Sequence, residues 1–229
     1  MSDTLMQEAH DAAEAAGLTL EYDDEGLVLR EGAMALPSGF GPLASRIKEQ
    51  ALHRELLVRA ARIKGVAEPR GLDATAGLGC DSLLLAAAGF DMTLYERNPV
   101  ACALLEDALR KAADDARFAH AARRMRAVHG DSIEALKRCR GAFDLVYLDP
   151  MFPEKRKSAA TNKKFQLIHR IEAPCADEER LLQAAFEAKP RRIVVKRSVK
   201  GPYLAGVKPH YSIAGKAVRY DCFSFARPV

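Results

Sequence analysis

From residue 70 onward, short runs of β-forming residues alternate with stretches whose apolar positions recur at helical spacing. Residues 71–75, 92–96, 126–129, 143–148 and 192–196 are predicted strands. Residues 81–88, 99–113, 132–139 and 177–188 are predicted helices, with Pro99 suited to a first helical turn. Such alternation predicts an α/β fold, a parallel sheet covered by helices on both faces. Two further strand-like stretches, 210–213 and 218–225, are joined by Ala214-Gly215-Lys216 and predict an antiparallel hairpin at the end of the chain.

Before residue 70 the pattern is different. Leu5, Ala9, Ala12, Ala13 and Ala16 form a helical stripe over residues 2–17, stopped by Gly17. Residues 18–22 and 27–30 flank Asp23-Asp24-Glu25-Gly26 and predict a strand hairpin. Ser38-Gly39-Phe40-Gly41-Pro42 reads as a loop. Ile47, Ala51, Leu52, Leu56, Ala60 and Ile63 then predict one helix over 43–64, ended by Gly65. A boundary at Pro69-Arg70 separates a small N-terminal α+β unit, residues 1–68, from a main domain, residues 69–229.

The most informative stretch is Phe143-Asp-Leu-Val-Tyr-Leu-Asp149-Pro150-Met151-Phe152-Pro153. Leu145 to Leu148 carry no polar break, as expected of a strand buried on both faces. Pro150 and Pro153 force the chain out of the sheet at its carboxyl edge, where open α/β sheets hold their ligands. A carboxylate, a rigid turn with its carbonyls and an aromatic ring then stand together. That set suits an exocyclic amine on a flat base.

Composition narrows the setting. The chain has 229 residues, 48% of them hydrophobic, enough for one full α/β domain with a small appendage. Thirty-five basic against 31 acidic residues give a net charge of +4, which permits a polyanionic partner without demanding one. The five cysteines are scattered with no Cys-x-x-Cys pair, which fits a reducing cytoplasm and argues against a disulfide scaffold or a zinc site. Neither a signal peptide nor a membrane-spanning run is apparent, and the histidines show no metal-ligand spacing.

Leu72-Asp73-Ala-Thr-Ala-Gly77-Leu-Gly79-Cys80-Asp81 follows the first main-domain strand and opens a helix. Its small residues allow a tight turn and close approach to a ligand, but the third glycine of a dinucleotide fingerprint is missing. An acidic residue, Asp73, precedes the loop instead. The pattern suits S-adenosylmethionine, which has a charged amine and no pyrophosphate. Glu96, at the end of the second strand, is placed to accept hydrogen bonds from ribose hydroxyls, or to pair with Arg97. Asp131 and Ser132 follow the third strand and could meet an adenine amine, although capping the next helix is the commoner role of a serine there.

In this arrangement Asp149 and the Pro150 carbonyl hold the amine, and Phe152 stacks on the base. Lys155, Arg156, Lys157, Lys163 and Lys164 follow closely and could pair with phosphates, or form a solvated loop. Lys196 and Arg197 end the fifth strand on the same edge and add to that field.

These residues resemble the bacterial small-subunit (16S) ribosomal RNA guanine-N2 methyltransferase family called J. The resemblance rests on Asp73 to Gly79 with Asp81, on Glu96-Arg97-Asn98-Pro99-Val100, on Val146 to Pro153 with Lys155, Lys157, Ser158 and Ala159, and on Val194-Val-Lys-Arg197. It covers residues 70 to 229 well. It implies a Rossmann-like, seven-stranded class I methyltransferase sheet, S-adenosylmethionine as methyl donor, and one guanine of 16S ribosomal RNA, free or in the small subunit, as substrate. By motif position it implies donor contacts at Cys80, Asp81, Glu96, Arg97, Asp131, Ser132 and Asp149. The family usually has arginine where this chain has Cys80, and the stretch after Ala35 departs from its glycine- and basic-rich segment.

The residues taken alone leave other readings open. The acceptor–aromatic set also suits adenine N6 or a small-molecule amine, and a non-catalytic nucleotide- or RNA-binding module could share the loop. A nicotinamide-dependent oxidoreductase is disfavoured by the incomplete glycine fingerprint.

Overall fold

A computed structural model describes residues 1–150, 166–167, 170–171 and 177–226. Helix α1 (Asp3–Ala15) begins at Ser2, whose Oγ accepts the Leu5 N–H, and Gly17 stops it with φ 69°. Strands β1 (Thr19–Asp23) and β2 (Gly26–Glu31) form the expected hairpin. A third strand, β3 (Met34–Pro37), extends it, which the sequence reading does not anticipate. It is a short edge strand ending in proline, tolerated there because no further strand among the described residues pairs with that edge.

The single helix expected over 43–64 is broken. After a short turn at Gly41–Leu43 come two separate pieces, α2 (Glu49–Leu52) and α3 (Leu56–Ala61). Lys48 and Glu55 are extended, and Arg46 bonds the Glu55 carboxylate through Nε at 2.7 Å and a terminal nitrogen at 2.8 Å. Breaking the helix lets Leu43 and Leu57 both enter the core against the main sheet. For pieces this short, tertiary burial outweighs helical periodicity.

The main domain contains β4 (Arg70–Asp73), α4 (Cys80–Ala87), β5 (Asp91–Glu96), α5 (Pro99–Asp114), a short α6 (Ala119–Ala122), β6 (Met125–His129), α7 (Ser132–Arg138), β7 (Leu145–Leu148), α8 (Glu178–Glu187), β8 (Arg192–Ser198), β9 (Tyr211–Ala214) and β10 (Val218–Ser224). Its sheet has seven strands in the order β6-β5-β4-β7-β8-β10-β9. Strands β4 to β8 are parallel, while β10 lies antiparallel between β8 and β9. The expected α/β class and terminal hairpin are both present, the hairpin completing the sheet. Strand β7 is buried along its whole length: Leu145 and Tyr147 face one core, and Val146 and Leu148 the other.

The N-terminal elements dock on α5. Ala9 and Ala13 of α1 and Leu27 and Leu29 of β2 share a core with Val100, Ala103 and Leu104. Buried Asp107 pins the contact by accepting the Leu27 N–H at 3.0 Å and the Ser38 hydroxyl at 2.5 Å. The chain leaves β4 towards β5 on one side of the sheet, whereas β7 leads to β8 on the other. The carboxyl ends of β4 and β7 therefore flank the switch point where such sheets form a ligand crevice.

Candidate active site

The loop after β4 is tied to both neighbouring strands. The Ala74 N–H donates to the Tyr147 carbonyl and the Ala76 N–H to the Tyr95 carbonyl. Gly77 and Gly79 have φ 51° and 73°, a region that favours glycine. At Gly79 a Cβ would also lie 2.5 Å from the end of the Leu105 side chain, which would have to shift.

Asp73 is 2% exposed, and its oxygens accept the Ser82 hydroxyl at 2.6 Å and the Thr75 N–H at 3.0 Å. Burial pushes its pKa up to about 7, against the opposing pull of those two bonds. Asp73 thus shapes the loop from within. Glu96, at the end of β5, accepts the Gly77 N–H on one oxygen and the Asn98 N–H on the other, both at 2.7 Å. It is nearly buried, and burial raises its pKa against those bonds. Arg97 beside it is exposed. Asp131, not Ser132, caps α7 by accepting the Ile133 N–H at 2.7 Å; Ser132 is the first residue of the helix. Cys80 is exposed at the start of α4.

Asp149 stands one residue beyond β7, followed by buried Pro150. Its N–H donates to the Thr75 hydroxyl at 2.6 Å, which fixes it against the β4 loop. The Lys196 ammonium donates to Asp149 Oδ2 and to Asp81 Oδ2, each at 2.8 Å. The Tyr147 hydroxyl donates to the same Asp81 oxygen at 2.6 Å. Burial would lower the Lys196 pKa, but the two carboxylates hold it well above the ordinary lysine range. Burial raises the Asp149 pKa, and the Lys196 ammonium opposes the rise.

The two cations that end β8 therefore differ from the expectation of a shared phosphate field. Lys196 turns inward to the carboxylates of the site. Arg197 points to the opposite face, 2% exposed, and donates to the Pro202 carbonyl and to Glu178. Neighbouring residues of a strand face opposite ways, so the pair cannot act together. Phe152 and the lysine-rich stretch Lys155, Arg156, Lys157, Lys163 and Lys164 lie outside the described residues.

Comparison with known proteins gives this geometry a family. Residues 6–225 match the family described as "Putative SAM-dependent methyltransferase". A ribosomal RNA small subunit methyltransferase J from Pseudomonas aeruginosa (strain UCBPP-PA14) is 40% identical over 228 residues, covering 92% of this chain and 87% of the relative. One of the same name from Pseudomonas fluorescens (strain Pf0-1) is 36% identical and covers 96% and 91%. The chain belongs to the methyltransferase J family.

The crystal structure of a SAM-dependent methyltransferase from Neisseria gonorrhoeae agrees, with a TM-score of 0.70, 27% identity and coverage of 97% of this chain and 92% of that one. The chain is thus an S-adenosylmethionine-dependent methyltransferase with the class I sheet. The residues present fit that donor. Each Glu96 oxygen accepts one N–H here and keeps a lone pair for a ribose hydroxyl. Asp81 and Asp149 outnumber Lys196, so their cluster carries a net negative charge suited to a cationic donor.

Three members of this constellation were not among the expected site residues: Thr75, Tyr147 and Ser82. Tyr147 had a signal in the sequence, as the one hydroxyl in an otherwise apolar strand. Thr75 and Ser82 are ordinary small polar residues, and only their partners give them roles.

Proposed function

We propose that this chain methylates the exocyclic N2 amine of a guanine in 16S ribosomal RNA, with Asp149 and Pro150 holding that amine at the carboxyl end of β7. The observation that carries the reading is the fixing of Asp149 at the switch point, by Thr75 through its backbone and by Lys196 through its carboxylate. S-adenosylmethionine supplies an electrophilic methyl group on a sulfonium centre. Glu96 and Asp131 hold its nucleoside end, and the glycine loop from Gly77 to Cys80 with Asp81 holds the amino-acid end.

The lone pair of guanine N2 is delocalised into the ring, which makes it a poor nucleophile. Acceptors set against its N–H groups localise that pair. Asp149 Oδ and the Pro150 carbonyl oxygen are those acceptors, and Phe152 clamps the ring face. As the N–C bond forms, the sulfur–methyl bond breaks and its electron pair leaves with sulfur as S-adenosylhomocysteine. The methylated nitrogen is strongly acidic, and its proton can pass to the Asp149 carboxylate, whose pKa burial has raised. Alignment matters more than proton abstraction here, since good orientation can remove roughly 7–11 kcal/mol of barrier.

The relatives' names place their substrate in the small ribosomal subunit, and the run from Lys155 to Lys164 supplies cations to hold RNA beside the site. On this reading residues 1–68 are an appendage to the methyltransferase domain of residues 69–229, and the protein works in the cytoplasm. Among the described residues no helix is long and apolar enough to cross a membrane. The test is to digest 16S ribosomal RNA from cells with and without this chain and compare the nucleosides by mass. Loss of one N2-methylguanosine, restored by the purified protein and S-adenosylmethionine, is the expected result. A missing methyladenosine, or no change in the RNA, overturns the reading.

A further inference from the structure

Nine basic residues line two recesses at the edge of the main sheet opposite the methyl-transfer edge. Strands β4 to β8 are parallel, so Arg70, Asp91, Met125, Leu145 and Arg192 all begin there. The end of β10 is there too, because Ser224 pairs with Arg192. Helix α3 is drawn to the same edge, since Arg192 donates to the Ala60 carbonyl at 2.8 Å.

A recess of about 480 Å³ opens at this place, with Arg59, Arg62, Lys64, Arg191 and Arg192 in its wall and only uncharged residues making up the rest. Arg191 and Arg192 are held, by Asp144 at 3.1 Å and by the Ala60 carbonyl. Arg59, Arg62 and Lys64 are exposed, and their side chains have no hydrogen-bond or ion-pair partner among the described residues. The Phe225 ring, 39% exposed, lines the same recess and offers a stacking face.

A second recess of about 220 Å³ lies at the other end of the edge, lined by Arg70, Arg123, Arg124, Arg126 and Asp91, with Arg124 paired to Asp91 and to Glu68. Asp144 stands between the two, accepting the Arg70 N–H and the Arg191 guanidinium. The modest net charge of +4 conceals this segregation. The opposite edge holds Asp73, Asp81, Glu96, Asp131 and Asp149, with Lys196 between two of them.

We infer that this amino edge is a second RNA-binding surface, which grips the ribose–phosphate backbone of the substrate at a point remote from the methylated base. The inference rests on ribosomal RNA being the substrate. The Arg59 and Arg62 guanidiniums and the Lys64 ammonium, with no carboxylate partner among the described residues, suit phosphates, which guanidiniums bind as planar forks. An exposed ring among them suits an unpaired base. The six residues of β5 put roughly 20 Å between the two edges. Phosphates gripped there are therefore not those flanking the base at Asp149, and the surface takes a part of the folded RNA away from the methylated nucleotide.

The test uses the full chain with Arg59→Glu, Arg62→Glu and Lys64→Glu together, which touch no internal bond. Binding to a full-length 16S ribosomal RNA transcript is measured over a series of salt concentrations. Single-turnover methylation is measured on that transcript and on a short hairpin carrying the mapped target guanine. The variant should bind the transcript about tenfold more weakly, with a salt slope shallower by about 2. Its turnover on the hairpin and its affinity for S-adenosylmethionine should match the wild type.

If the triple variant does not fold, as judged by its thermal melt, Arg123→Glu with Arg126→Glu tests the same surface at the other recess. Unchanged transcript affinity and slope in a folded variant overturn the inference and leave the substrate reading standing. So does a loss confined to assembled subunits and absent on naked RNA, which would assign the surface to a protein partner. A wild-type chain that methylates neither RNA overturns the substrate reading, and this inference with it.

Discussion

The ammonium of Lys196 lies 2.8 Å from Oδ2 of Asp149. A strand residue thereby locks the carboxylate proposed to face the reacting amine, and through its second bond to Asp81 it couples that carboxylate to the first turn of α4. The position of Asp149 depends on β4, β7 and β8 together. On the proposed mechanism its ionisation decides whether an acceptor is present.

Lys196→Met keeps the length of the side chain and removes the charge. Methyl transfer should fall roughly ten- to hundredfold, the usual worth of a hydrogen bond to a charged group. The pH profile should move as well. Burial raises the Asp149 pKa and Lys196 opposes the rise, so without the ammonium Asp149 stays protonated to higher pH. The acid limb of the single-turnover rate should then shift to higher pH. Lys196→Arg keeps the charge and should keep the limb in place. A methionine variant with the wild-type profile would refute the coupling.

Glu96 holds the glycine loop through the Gly77 N–H, and it is proposed to present acceptors to the ribose as well. Glu96→Ala should weaken S-adenosylmethionine binding by about 1–3 kcal/mol. Glu96→Gln keeps one oxygen and should lose less. Calorimetry on folded variants decides this, and equal affinity for wild type and alanine variant would remove Glu96 from the donor site.

Asp73 should leave a mark on stability. Its pKa in the folded protein is about 7 against an ordinary 3.8, so between these values the folded state keeps a proton that the unfolded state has released. This contribution is fully present below about pH 4 and is lost as pH rises to about 7. Asp73→Asn removes the titration while keeping an oxygen for Ser82 or Thr75. Urea unfolding at pH 5 and pH 7 should show a smaller decline in the variant. An identical decline in both proteins would place the titration elsewhere.

Phe152 is assigned to stacking from its place in the motif. Phe152→Ala should leave donor affinity intact and slow transfer to RNA, since base–aromatic stacking contributes about 1–3 kcal/mol. Phe152→Tyr should retain most of the activity and Phe152→Leu little of it. Equal rates for leucine and phenylalanine would make residue 152 a packing residue.

Much of this was legible along the chain because the signals are local. An unbroken apolar run from Leu145 to Leu148 ending in Asp149-Pro150 states a doubly buried strand and its exit. The alternation of strand and helix states the fold class, and the glycine loop before α4 marks the donor end. The hairpin of β9 and β10 was visible from its turn.

Tertiary structure decided what depends on residues far apart in sequence. Periodicity over 43–64 favoured one helix, but packing on the sheet divided it, because pieces this short are held by what they bury. Two adjacent cations at the end of β8 looked alike in sequence; strand geometry sent Lys196 into the site and Arg197 into the protein. Strand order placed β4 beside β7, which brought Thr75 to Asp149 across 74 positions of sequence. The same parallel order brought Arg70 and Arg192 to one edge and Asp73, Glu96 and Asp149 to the other. Sequence determines which groups a chain carries and its local conformational preferences. Which groups meet is set by the long-range burial that fixes strand order, and no local pattern encodes that.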